Sequence, residues 1–138
     1  MKKIILLSML IVLVLSSLVS ARIITREESK GNDQLRFDQL RISPDPIVYQ
    51  GENLNIHFSL ENRFASTLDD VKVKVVSPTI PYAYASWGPR DLEGETTNFQ
   101  LSISTRSAPK GWNDLLVFLD SDDNGGVHRT RVVSFYVA

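Results

Sequence analysis

The sequence predicts an all-β domain, a sandwich of seven or eight short strands behind an apolar N-terminal helix. Three observations carry that expectation. In residues 53–61, Leu54, Ile56, Phe58 and Leu60 alternate with Asn55, His57, Ser59 and Glu61. In residues 69–76, Val71, Val73 and Val75 alternate with Lys72 and Lys74. Period-two alternation gives a strand one dry face and one wet face, as in a sheet packed on one side. Further short apolar runs follow at intervals of 8–15 residues, separated by Gly, Pro and Asp clusters, with no amphipathic helical pattern.

Taken in order, the folded part begins near Leu35. Leu35, Phe37, Leu40 and Ile42 give a first strand, which Pro44 and Pro46 break. A proline-interrupted strand suits a sheet edge that changes partner sheet. Residues 47–49 lead into the turn Gln50-Gly51-Glu52 and the strand at 53–61. A loop at 62–68 precedes the strand at 69–76. Residues 82–87 form a weak strand ended by Gly88-Pro89, and 92–94 a turn. Residues 96–103 place Phe99, Leu101 and Ile103 inward. Residues 112–119 are apolar throughout, as in a strand at the middle of a sheet, and Trp112 is expected in the core. An acidic loop at 120–126 precedes a last strand at 127–137. There, Val133, Phe135 and Val137 share a face, and the same parity puts Arg129 and Arg131 inside. Burying unpaired cations costs several kcal/mol, so a β-bulge near Val132 or Val133 is expected to turn them outward.

Residues 1–21 have the layout of a secretory signal peptide: Lys2 and Lys3, an apolar run at 4–15 broken only by Ser8, then Val19 and Ala21 at a small-residue cleavage site. The alternative is an uncleaved anchor, but residues 4–19 fall short of the roughly 20 a spanning helix needs. Residues 22–34 mix Arg22, Arg26 and Lys30 with Glu27, Glu28 and Asp33, and read as a flexible polar tether or a short helix. Residues 35–138 are the sandwich. The chain has no cysteine, so disulfides cannot assist the fold at an oxidising destination. Losing Lys2 and Lys3 with the leader takes the formal charge from −1 to −3. That balance argues against a nucleic-acid partner, which needs a concentrated basic face.

Several segments carry a family likeness. They are Tyr49-Gln50-Gly51-Glu52-Asn53-Leu54, Leu60-Glu61-Asn62, Leu68-Asp69-Asp70-Val71-Lys72-Val73-Lys74-Val75, Gly94-Glu95-Thr96-Thr97 and Ala108-Pro109-Lys110-Gly111-Trp112. Their order resembles the CARDB-like and Ig-like modules of prokaryotic cell-surface proteins, closest to the small Ig-like domains ascribed to archaeal S-layer proteins. The resemblance runs over residues 35–137. It implies an Ig-like antiparallel fold, a cell-envelope location and no catalytic residues. One module is too small to be a multi-domain lattice subunit by itself.

Three places invite a ligand. Asp120, Asp122 and Asn124 with Gly125 match the first half of a calcium loop, whereas Arg131 stands where the closing glutamate belongs. The competing reading is an acidic hairpin turn, with Asn124-Gly125-Gly126 supplying positive φ. Tyr82, Tyr84 and Trp87 lie in a proline-flanked segment and are a candidate aromatic platform for a glycan or a protein partner; otherwise they cover an open end of the sandwich. His57 and His128 are the only histidines and have no ligand-spaced companions. A nucleophile elbow is missing, and no helix is predicted that would host one.

The sequence therefore points to an exported, non-enzymatic Ig-like module that works in the cell envelope or at the surface by contact with other envelope proteins or surface polymers. Such a module is S-layer-associated or adhesion-like. Membrane contact is expected only through residues 1–21 if they are retained. The alternatives are a glycan- or calcium-binding surface module and an envelope chaperone using an open edge strand. No cofactor is expected beyond that calcium ion.

Overall fold

The computed structural model describes residues 28–30, 35–45, 47–94, 97–122 and 127–138, and everything among them that is regular is β-structure. The expected signal peptide or anchor at 1–21 lies outside the described residues. Nine strands are described: β1 (Glu28–Lys30), β2 (Leu35–Ser43), β3 (Ile47–Val48), β4 (Asn53–Asn62), β5 (Leu68–Val76), β6 (Tyr84–Leu92), β7 (Thr97–Ser104), β8 (Gly111–Ser121) and β9 (Val127–Val137). They form two sheets. The smaller has the order β2-β4-β7; the larger has β1-β9-β8-β5-β6, with β3 also on β9. The β3–β9 pair is parallel and the other pairs are antiparallel, so the larger sheet is mixed.

The alternation read in β4 and β5 sets the two inner faces. Leu54, Ile56, Phe58 and Leu60 of β4 and Val71, Val73 and Val75 of β5 are buried in one cluster with Leu115, Val117 and Leu119 of β8 and Val133, Phe135 and Val137 of β9. Aromatic rings join the sheets. Phe58 meets Phe99 at 5.3 Å and Trp87 at 6.4 Å between centroids, and Trp87 meets Phe99 at 4.2 Å. The chain crosses between sheets after Ser43: β2 belongs to the small sheet and β3 to the large one. That is the behaviour the Pro44–Pro46 break predicts.

Three local expectations are corrected. First, Glu28–Lys30, inside the stretch read as a tether, pairs antiparallel with β9 at His128–Thr130. Second, Gly88-Pro89 does not end a strand. The β6 strand runs through to Leu92, with an extra residue between Trp87 and Arg90 opposite Val71–Val73 and a compensating shift between Leu68 and Val71. Gly88 sits at φ +86°, where a Cβ would lie 2.4 Å from the carbonyl oxygen of Val71. Asp70, within the second irregularity, also has positive φ, 53°. Third, β9 has no bulge. Its register with β8 runs unbroken from Gly111–Val137 to Ser121–Val127, so Arg129 stands opposite Leu119 and Arg131 opposite Val117 on the inner side. Arg129 is 1% exposed, and its Nη1 donates to the His128 carbonyl at 3.2 Å. A further irregularity lies in β2, between Phe37 and Gln39.

Candidate functional site

Both sheets have outward faces that carry side chains unlike an ordinary solvated surface. On the large sheet, the central strand β8 carries apolar side chains on both faces, with Trp112, Leu116 and Phe118 on the outer one. Its inner residues fill the core, and its outer residues continue into neighbouring strands. Val132, Leu116, Val76 and Tyr84 stand side by side across β9, β8, β5 and β6. Trp112 and Tyr136 form a cross-strand pair two rows away, with rings 5.6 Å apart and nearly perpendicular. Ile47 of β3 extends that row beside Tyr136. Trp112 is therefore not a core residue, as its apolar strand suggested, but is 52% exposed. Between the rows, Ser134 donates to Asp114 Oδ1 at 2.5 Å. Beyond them, Lys74 lies next to Phe118, and Lys72 next to Asp120.

On the small sheet the outward face is polar. Gln39, Ser59 and Asn98 make one row across β2, β4 and β7; Arg41, His57 and Gln100 make the next. Five of these side chains line a shallow hollow of about 440 Å³, Gln100 being the exception; Phe58 and Phe99 border it too, but their rings pack on the core side against Trp87. Ser59 is buried and donates to Asn98 Oδ1 at 2.5 Å. His57 Nε2 and Ser43 Oγ are 2.9 Å apart, which fixes the imidazole against β2. Gln100 Nε2 donates to Asn55 Oδ1 at 3.2 Å. The next charge along β4 is Glu61, whose oxygens take Arg36 Nε at 2.8 Å and Arg63 Nε at 2.9 Å. Hydrogen bonds from Arg63 first and Arg36 second hold its carboxyl below the usual range.

The residues singled out in sequence are only partly brought together. Tyr82 and Tyr84 line a second hollow of about 380 Å³ with Ile103 and Arg106. Tyr82 is fully exposed at φ +61°. Trp87 is not in that hollow. It turns inward against Phe58 and Phe99, with the Arg90 guanidinium 6.0 Å from its ring centroid. The three-residue aromatic platform is thus two tyrosines, with the tryptophan on the inner side. In the acidic loop, Asp120 binds Nδ1 of His128, Asp122 is exposed, and Asn124 lies outside the described residues. Among the described residues no group of three or more His, Asp or Glu side chains is placed to hold a metal.

No protein-family model matches the chain. No curated protein matches it in sequence. Among solved structures, the C-terminal domain of Wzt is similar, with TM-score 0.57 and 12% identity over 82% of this chain and 78% of that one. A Niemann-Pick type C2 protein from Japanese carpenter ant gives TM-score 0.52 and 8% identity over 80% and 98% of the two chains. The Pseudomonas fluorescens alkylpurine DNA glycosylase AlkC, solved with DNA containing an abasic site analog, gives TM-score 0.54 and 18% identity. It is matched over 75% of this chain but only 30% of its own. The likeness is one of fold. At these identities a shared β-architecture hosts unrelated activities and transfers none of them.

The polar hollow was not singled out in the sequence. Its signal was nonetheless present, in the amide, hydroxyl and imidazole side chains on the wet parity of β4 and β7. What could not be read was that β2 brings Gln39 and Arg41 beside them.

Proposed function

We propose that this protein is an exported, non-enzymatic Ig-like module that acts in the cell envelope by protein contact. The observation carrying this reading is the apolar outer face of the large sheet, where Trp112, Tyr136, Leu116, Val132, Val76 and Tyr84 form half-exposed rows on the side away from the core. Aromatic and aliphatic side chains grouped on an exposed face are characteristic of interaction surfaces rather than of solvated strands. The export half of the reading rests on the signal-peptide layout of residues 1–21. The Ig-like half rests on strand order and on the motif resemblance. On this reading the order β2-β4-β7 would correspond to A-B-E in the usual lettering, and β9-β8-β5-β6 to G-F-C-C′. The likeness to small surface modules makes the envelope the natural setting, with other envelope proteins as partners.

The edge-strand chaperone reading is less well supported. The β6 edge is interrupted at Gly88-Pro89 and the β2 edge by its bulge, irregularities that discourage strand addition, and the unbroken β7 edge is short, with Asn98, Gln100, Ser102 and Ser104 on its outer side rather than an apolar row. A glycan or partner site at Tyr82 and Tyr84 keeps one favourable observation, the full exposure of Tyr82 over its hollow.

Fractionation tests the proposal. Tagged protein should appear in the envelope or medium, with mass spectrometry placing its new N-terminus after Ala21. A W112S/L116S double variant should fold, by circular dichroism, yet lose its envelope association. An intact chain held in the cytosol, or a folded double variant distributed like the parent, would overturn it.

A further inference from the structure

We infer that the hollow on the small sheet binds an acidic saccharide, a sugar unit carrying a carboxylate. The inference stands on the sheet opposite the apolar face and does not depend on how that face is used. The hollow has the size of a small-ligand site, about 440 Å³. Its wall is built almost entirely from hydrogen-bonding side chains held on paired strands, which fixes their spacing.

Ser59 spends its proton on Asn98 Oδ1, which orients that amide and leaves its Nδ2 hydrogens without a partner among the described residues. The Gln39 amide likewise has no partner among the described residues, nor has the Arg41 guanidinium. His57 is held through Nε2 by Ser43, and its other ring nitrogen has no partner among the described residues. Neighbouring amides, a hydroxyl and an imidazole are the groups that match the vicinal hydroxyls of a sugar, each of which both donates and accepts.

Charge narrows the class. Among the described residues Arg41 is the one arginine or lysine lining the hollow, and no carboxylate lines it. The nearest carboxylate along β4, Glu61, is already shared by Arg36 and Arg63 and is not available to Arg41 through its own pairing. A planar guanidinium with free donors pairs best with a carboxylate, bidentately.

The test is calorimetric titration of the purified protein with a hexuronate trisaccharide, its neutral hexose counterpart and a polyglutamate peptide. The hexuronate should bind, and the neutral sugar should bind about tenfold more weakly or worse, because one charge-assisted contact is lost. R41Q should weaken hexuronate binding by a similar factor. R41K, which keeps the charge and loses the fork, should fall between. N98A should weaken both sugars. Folding of each variant is checked by its melting curve. The proposal fails if the hexuronate does not bind at millimolar concentration, if the neutral sugar binds equally, or if polyglutamate binds as well as the sugar acid. It also fails if Y82A abolishes binding while R41Q does not.

Discussion

At the scale of single residues, two charged side chains show how context decides cost. Arg129 is buried on the inner face of β9, opposite Leu119, where sequence alone argued that no cation should stay. Truncating so large a buried side chain leaves a cavity and breaks its polar contacts. Arg129→Ala should therefore destabilise the domain by about 2–5 kcal/mol in urea denaturation, far more than an exposed lysine would. Glu61 is the opposite case, a carboxylate near the surface held by Arg63 and Arg36. Its folded-state pKa is lowered. The stabilisation is therefore present above the ordinary glutamate value of about 4.3 and is lost as pH falls through the lowered folded value. Comparing melting temperatures of the parent and Glu61→Gln from pH 7 downward should show a gap that closes in acid. A gap that stays constant would mean the arginine contacts contribute nothing in solution.

Strands and their pairings decided what residue patterns left open. Alternation in β4 and β5 was readable because a sheet with one dry side must obey it, and those inner faces are found where the pattern put them. The β6 strand was less legible. Gly88-Pro89 has the composition of a terminator, yet here it is the bulge by which β6 stays paired with β5. Gly88 is needed there for two reasons, its positive φ and the approach of the Val71 carbonyl. Gly88→Ala should cost about 1–3 kcal/mol and act by loosening the β5–β6 pairing. Hydrogen exchange should show faster exchange at β6 amides beside Val71 and Val73 than elsewhere in the sheet. Unchanged exchange at those amides would contradict the bulge assignment. The β8 strand was legible as a central strand but not as a two-sided one. An apolar run says nothing about which of its faces meets core and which meets solvent, so Trp112 was assigned to the wrong side.

Over the whole molecule, two sheets close on one core and leave two dissimilar outer faces, one apolar and one amide-rich. Their separation makes the two functional readings independent: W112S/L116S should leave hexuronate binding intact, and R41Q should leave envelope association intact. The sequence by itself determined the all-β class, the inward sets of β4 and β5, and the change of sheet at Pro44–Pro46. Those features follow from local rules, side-chain period and proline chemistry, that act within a few residues. Tertiary structure alone decided the polar hollow, the outward turn of Trp112 and the inward one of Arg129. Each depends on which strand lies beside which and in what register, and that is settled by contacts between residues far apart in the chain.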